Sequence, residues 1–492
     1  MSCLHGRSGN SHEIDDLKAN VDPAVEPIIS STTSTGRFQY KWVLLLVVSG
    51  GGFLSIMNAG MVNIGAPGMM EDFQTSASLI VWVNLSFAMG TTVPLLPISR
   101  ISDVFGRKRL YLSGALIVPA GLALSAISQD LTQLIMARIA TAVGSSMILA
   151  NDNALLTQAF PASERGKAQG MINMAFGLGI GLSFFLGGIL IDIFDWRALF
   201  WARIPAHLLL AFSVWRFVRD DTRDASEGRS GYSIDYIGVT LLAVVMIGSL
   251  LAINQAGRLG LSSPFVVAAI ATTALALPVL IIMERRANFP VIQLDLFKSR
   301  VFSSGVTAQF FAQMAHGGWN FLAPFLLITG MGYSASIAGL ILLPFHTIRL
   351  VLSPISGALS DRFGTRSTSL VGHLTLLCGL IVLTGLRIDA PIWQYLVVIT
   401  IGGAGLSIFL PANNSAIMGF VPRDSLSSAS GFLATSRMIG NSMGMALAAA
   451  IYSHVLGSGG SEGAVNAVSQ GITVVATVSA IGLVAIIFRG RG

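Results

Sequence analysis

Two short strings hold residues that could do chemistry at the edge of apolar surroundings. Residues 99–109 read Ser-Arg-Ile-Ser-Asp-Val-Phe-Gly-Arg-Lys-Arg, and residues 357–366 read Gly-Ala-Leu-Ser-Asp-Arg-Phe-Gly-Thr-Arg. Each sets a carboxylate (Asp103, Asp361), a turn glycine (Gly106, Gly364) and a cation (Arg107, Arg362) between two long apolar runs. Asp103 can pair with Arg107 or accept from a helix N-terminus, whose positive dipole end favours an anion. Gly106 permits the tight turn. The two carboxylates stand 258 positions apart, which points to two related halves. Such paired loops offer an ionic latch that forms and breaks; anchoring of Arg107, Lys108 and Arg109 at anionic lipid is the plainer alternative.

Charges inside the apolar runs are few: Arg138, Asp152, Arg203, Arg349 and Arg437. Each costs roughly 2.5–3.5 kcal/mol on insertion scales, so each is a functional candidate. Asp152 is the one acid well inside a run. A carboxylate held in a partly dry cavity can load and release a proton near neutral pH, and Asp152 is the candidate for that role. A permanent pair with a basic residue of a neighbouring loop is the alternative. Arg138 precedes it by fourteen residues, which in a helix is about 40° away on the same face and about 21 Å along the axis. The two cannot touch.

Amides and imidazoles supply the polar remainder. Gln309, Gln313, His316 and Asn320 are spaced 4, 3 and 4, one polar stripe on an apolar helix, and should face a cavity or another helix rather than lipid. His346 and Arg349 share a helix face. Asn58, Asn63 and Asn84 extend the idea near the N-terminus, and Asn413 and Asn414 match Asp152 and Asn153 at an offset of 261.

These residues are carried by an all-α integral membrane protein. Of the 492 residues 53% are hydrophobic and 11% charged, with mean hydropathy +0.72; soluble domains run near a quarter charged. Fourteen runs of about twenty apolar residues follow a polar tail, 1–41, read as disordered. They group as a six-helix bundle over 42–217, a linker with two inserted helices over 218–300, and a second six-helix bundle over 301–488. The halves share topology: Gly144, Ser146, Pro161 and Gly170 fall on Gly405, Ser407, Pro422 and Gly431. With both termini in the cytoplasm, nearly all loop Lys and Arg lie inside, and only Arg197, Arg258 and Arg387 fall outside. The net charge of +6 is therefore topological and needs no nucleic-acid partner. Cys3 and Cys378 are poorly placed to pair, and no cofactor or metal is expected.

At this point the chain resembles the major facilitator superfamily, and within it the fourteen-span drug:proton antiporters, over roughly residues 42–488. The resemblance rests on the two Asp-x-Phe-Gly loops, on Arg138 with Gly144, on Glu164-Arg165-Gly166, on Trp196-Arg197, on Ile234-Asp235-Tyr236-Ile237-Gly238, and on Arg437 with Gly440 and Gly444. Three positions depart from the family pattern. Ser99 replaces the loop glycine, Ser183-Phe184 precedes Gly187-Gly188 in the span-5 antiporter motif, and Asn58 stands where an aspartate is usual. The resemblance implies alternating access, proton involvement of Arg138, a cavity lined by spans 4 and 12, loops that latch the halves, and a monomer in a plasma or bacterial inner membrane.

Two transport functions follow as expectations: proton-coupled export of small amphipathic organic molecules, or facilitated passage of an organic anion without proton antiport. Aromatic residues such as Phe310, Phe311, Trp319 and Phe345 and flexible methionines such as Met147 and Met174 suit amphipathic ligands. An enzyme is not expected, since the chain has no His-Glu-x-x-His and no cysteine–histidine cluster and its loops are too short to hold a domain; without a phosphate-binding Gly-x-x-x-x-Gly-Lys-Ser/Thr loop, a primary pump is not expected either.

Overall fold

The computed structural model describes residues 34–160, 164–219, 236–286, 294–385, 390–422, 426–456 and 460–489. Its long helices are α1 (Ser34–Asp72), α2 (Trp82–Phe105), α3 (Arg107–Ala126), α4 (Leu131–Ala159), α5 (Arg165–Ile193), α6 (Ile204–Phe217) and α7 (Tyr236–Leu259). They continue as α8 (Pro264–Arg286), α9 (Arg300–Pro324), α10 (Ala335–Phe363), α11 (Thr365–Thr384), α12 (Ile392–Phe420), α13 (Leu426–Leu456) and α14 (Gly460–Ile487). Short turns, Ala77–Ile80 and Ala198–Trp201, lead into α2 and α6. Two units are distinguished, Met1–Trp42 and Val43–Gly492. Residues 34–42 of the first unit are helical, where a polar tail to residue 41 was expected; residues 1–33 and most of the loop 219–234 lie outside the described residues.

Among the described residues, twelve helices are long and apolar enough to cross a membrane. The fourteen expected crossings are not all reached on length and hydropathy, because α9 and α13 fall short. Gln309, Gln313, His316 and Asn320 interrupt α9, while Ser430, Ser436, Arg437, Asn441 and Ser442 interrupt α13. These two helices pack on each other along their length, so much of their polar content meets protein. The contact is close: a side chain at Gly317 would collide with the Asn441 carbonyl, and one at Gly444 with that of Met314. At Pro324, which has no N–H to donate, α9 gives way to a π turn, Phe325–Gly330.

Capping sets the other ends. The Asp130 carboxylate accepts from Gln133 N–H at 2.8 Å to start α4, and Ser334 and Ser299 stand at the N-caps of α10 and α9. The two loops singled out above end their helices identically. Gly106 (φ 97°) donates to Ser102 carbonyl at 3.0 Å, and Gly364 (φ 83°) donates to Ser360 carbonyl at 2.9 Å. Only glycine adopts that backbone region without strain.

Helix α5 is the pivot of the packing, because its small residues form two stripes. Gly179, Ser183 and Gly187 face α1, against Phe53, Gly60 and Met61. Gly177, Gly181 and Gly188 face α10, against Leu350, Thr347 and Ala335. At the end of α5 a side chain at Gly188 would strike the Ala335 carbonyl, and one at Gly339 of α10 would strike that of Phe184. Without apolar gain against lipid tails, such backbone approach is how membrane helices hold each other. The inserted pair sits apart: α7 packs on α8, α13 and α2, with Trp82 Nε1–H donating to Asn254 Oδ1 at 3.0 Å. Only 17% of the most apolar stretch of α8 is buried, which puts that helix at the rim.

Gly188→Leu or Gly339→Leu should therefore destabilise the detergent-solubilised protein by about 1–3 kcal/mol or more, as overpacking does. Thermal unfolding monitored by fluorescence size exclusion measures it. Gly357→Ala, whose new methyl would meet nothing within 4 Å, should leave the midpoint unchanged or slightly raised.

Candidate functional site

Between α5, α9, α10 and α12 lies a narrow recess of about 30 Å³, lined by Gly177 and Ile180, by His316, Phe345, His346 and Arg349, and by Gly403, Leu406 and Ser407. Its wall is a run of flat rings. His346 stacks on Phe184 at 5.1 Å and 10°, Phe345 stacks on His316 at 5.7 Å and 12°, and Trp319 leans on Phe345 at 6.4 Å. His316 is held from both sides, with Nε2 at 2.9 Å from the Asn320 amide and Nδ1 at 3.2 Å from the Asn441 amide. A neutral imidazole offers one donor and one acceptor, so one of these amides presents its oxygen to the ring. Arg349 is the charge in the lining, and among the described residues no carboxylate lines the recess. In this conformation the recess is too narrow for an organic ligand; once widened, its ring faces and its arginine would suit a planar molecule with neutral or negative polar groups.

The expected stripe on α9 divides. His316 and Asn320 belong to the ring cluster. Gln309 is fully buried and donates to Leu433 carbonyl at 2.9 Å, tying α9 to α13, and Gln313 is buried against Gly440. Asn413 is likewise engaged, donating to Gly305 carbonyl at 3.0 Å and accepting from Arg489. Asn414 is half-buried with a carbonyl that meets no donor. Asn63 accepts from Asn84 at 2.9 Å, joining α1 to α2.

In the first six helices, Asn58 of α1 meets two arginines. Its Oδ1 accepts from Arg138 Nη1 at 2.7 Å and also from Arg203 Nη1. Asp152 lies on α4 beyond reach of them, 3% exposed, and neither of its oxygens has a hydrogen-bond partner among the described residues. The nearby Tyr111 hydroxyl of α3 approaches it without the geometry of a hydrogen bond. Gly51 makes room for that hydroxyl, since a side chain there would collide with it. An isolated buried carboxylate is costly when ionised, so this conformation accommodates Asp152 with its proton on.

Of the loop residues, Asp361 and Arg362 are exposed and Arg107 is half-buried; the side chain of Asp103 lies outside the described residues. The opposite ends of these helices carry a contact that sequence reading missed. Asp192, at the end of α5, accepts from Ala335 N–H and Ser336 N–H, each at 2.9 Å. It therefore satisfies the first turn of α10 with a negative charge. Ser78 N–H donates to Ser453 Oγ at 2.8 Å at the same end, joining the turn before α2 to α13. The signal for Asp192 was present only as an acid one residue past an apolar run. Tyr111 could have been noticed as the one phenol in α3.

The Major Facilitator Superfamily profile matches residues 48–445. A riboflavin transporter of Clostridioides difficile is 30% identical over 92% of this chain and 98% of its own length. The multidrug resistance protein Stp of Mycobacterium tuberculosis is 27% identical over 82% of this chain and 75% of its own. In fold, a bacterial homologue of the lysosomal transporter Spinster, solved inward-facing and unoccupied, superposes with TM-score 0.69 at 16% identity, covering 91% of this chain and 97% of that one. The Escherichia coli xylose transporter XylE, partially occluded and inward open, gives 0.61 at 15% identity over 90% and 98%.

Asp192→Ala should free the first turn of α10. Two charge-assisted bonds are lost, each worth about 1.5–3 kcal/mol, so amide hydrogen exchange at Ala335 and Ser336 should quicken at least about tenfold. Unchanged exchange there would show that the carboxylate does not hold the turn.

Proposed function

The chain belongs to the Major Facilitator Superfamily, and from that premise we propose that it exports small amphipathic organic molecules in exchange for protons by alternating access. Membership makes it a multi-pass secondary transporter and not an enzyme. The finer reading places it in the drug:proton antiporter branch, with α9 and α13 counted as spans to make fourteen. Two bundles over 42–217 and 301–488 then flank the inserted pair, both termini are cytoplasmic, and the protein works as a monomer in the cell membrane. Asp103, Gly106 and Arg107 with Asp361, Arg362 and Gly364 are the loops that latch the halves when the recess faces the other way.

The observation that carries the proton step is Asp152, buried on α4 with both oxygens unpartnered among the described residues. A carboxylate neutral in this state and hydrated when the cavity turns can carry one proton per cycle. Arg138 lies on the same helix and serves as the fixed charge of that half. Substrate occupies the recess once it widens, where His316 and Asn320 meet it together with Phe345 and His346.

In everted vesicles energised to an acidic interior, compounds of the right class should collapse the pH gradient, and Asp152→Asn should abolish the collapse while leaving the protein folded. A flavin is a sensible first compound, given the riboflavin transporter among the relatives. Labelled compound moving with no response of the gradient would reject proton exchange.

One observation favours a second reading, facilitated passage of an organic anion. Arg349 lines the recess with no acid beside it, and Asn58 is neutral where it meets two arginines. Matched cationic and anionic dyes decide between the two: cations moved in preference to anions would remove the second reading.

A further inference from the structure

Arg138 and Arg203 share a feature that goes beyond the fixed charge Arg138 supplies to its half. Both are buried, at 0% and 2% exposure, and both point Nη1 at the same neutral oxygen, Oδ1 of Asn58. The Nε–H of Arg138 donates to Val83 carbonyl at 3.1 Å, and that of Arg203 donates to Leu199 carbonyl at 2.8 Å. Phe87 lies 4.4 Å under one guanidinium and Phe200 5.5 Å from the other. What remains is three buried nitrogens without a partner: Nη2 of Arg138, Nη2 of Arg203 and Nδ2 of Asn58.

All three are donors. Among the described residues, neither guanidinium pairs with a carboxylate, and Asp152 is roughly 21 Å along α4 from Arg138. A guanidinium stays protonated inside a protein, so the cluster holds two positive charges, three idle N–H groups and no negative acceptor. Uncompensated buried charge is among the most destabilising arrangements a fold can hold. Ring faces and helix carbonyls relieve only part of it.

We infer that Arg138, Arg203 and Asn58 form a binding site for a small monoanion, held between α1, α4 and α6. The ligand chemistry is that of a carboxylate or a halide-sized ion, a small acceptor of single negative charge matched to donors on almost wholly buried side chains. An anion there neutralises the pair through both Nη2 groups and accepts from the Asn58 amide. The site is separate from the recess at His316, and it does not depend on whether the chain exports drugs or exchanges protons.

The test is equilibrium binding to the full chain in nanodiscs, read by thermal unfolding. The buffer anion is a bulky sulfonate, and ionic strength is held constant while sodium chloride or sodium formate replaces it. A saturable rise of several degrees in the midpoint is expected, as for any ligand that binds only the native state. Chloride alone raising it assigns a halide-sized ion; formate matching or exceeding chloride assigns a carboxylate. Asn58→Asp supplies the negative charge from within, so it should start at a raised midpoint and lose the anion response. Asn58→Ala, which keeps both cations, should retain the response, and it carries the comparison if the aspartate variant does not fold. A midpoint indifferent to either anion, a linear response that never saturates, or a full response persisting in Asn58→Asp would overturn the site.

Discussion

Much of this structure depends on how closely α5 can approach its two neighbours. With glycine or serine along both stripes, α5 sits with its backbone nearly touching α1 on one side and α10 on the other. Its contact with α10 joins the first six helices to the later ones, and the recess at His316 and Arg349 opens between α5, α9, α10 and α12 as a consequence. Asp192 finishes the contact by taking up the free N–H groups that begin α10. Backbone contact is short-ranged and geometrically strict, so such an interface has few intermediate positions. It packs, or it parts. That property is what alternating access asks of it.

Charge is distributed with equal economy. Asn58 serves two arginines in one half, and Asn413 accepts from Arg489 in the other. In both places a neutral amide does what a carboxylate would ordinarily do. Asp152, by contrast, is a carboxyl whose oxygens accept no hydrogen bond among the described residues, with the Tyr111 hydroxyl nearby. Buried arginines without a carboxylate, and a buried carboxyl without a cation about 21 Å from Arg138 along α4, are more readily understood as places where a mobile ion or proton resides than as scaffolding. Superfamily membership is in keeping with that reading, since gradients drive secondary transporters.

Much of the architecture was legible in the sequence because bilayer crossing writes itself in hydropathy, and because the two Asp-x-Phe-Gly loops repeat. Their glycines show why: both take the same positive φ and the same bond to the carbonyl four residues back. Less legible was the destination of polar side chains. Spacing put Gln309, Gln313, His316 and Asn320 on one face but could not say that Gln309 would be taken by the Leu433 carbonyl while His316 stacked on Phe345. Amides satisfy backbone and ligand with the same atoms, so only the neighbours decide. Tyr111 and Asp192 escaped notice for a related reason: their meaning comes from α4 and α10, far away in sequence.

The central claim is that the Asp192 end of α5 and α10 parts when the end marked by Gly106 and Gly364 closes. Phe105 and Phe363 at the latter end are exposed, as are Ile193 and Ile337 at the former. The direct measurement places spin labels at these four positions, two at a time, in a chain whose Cys3 and Cys378 are replaced by serine, and reads both distances in nanodiscs as pH and ligand are varied. The account predicts opposed changes, the 193–337 distance lengthening as the 105–363 distance shortens. Two distances that stay fixed, or that lengthen together, would contradict it.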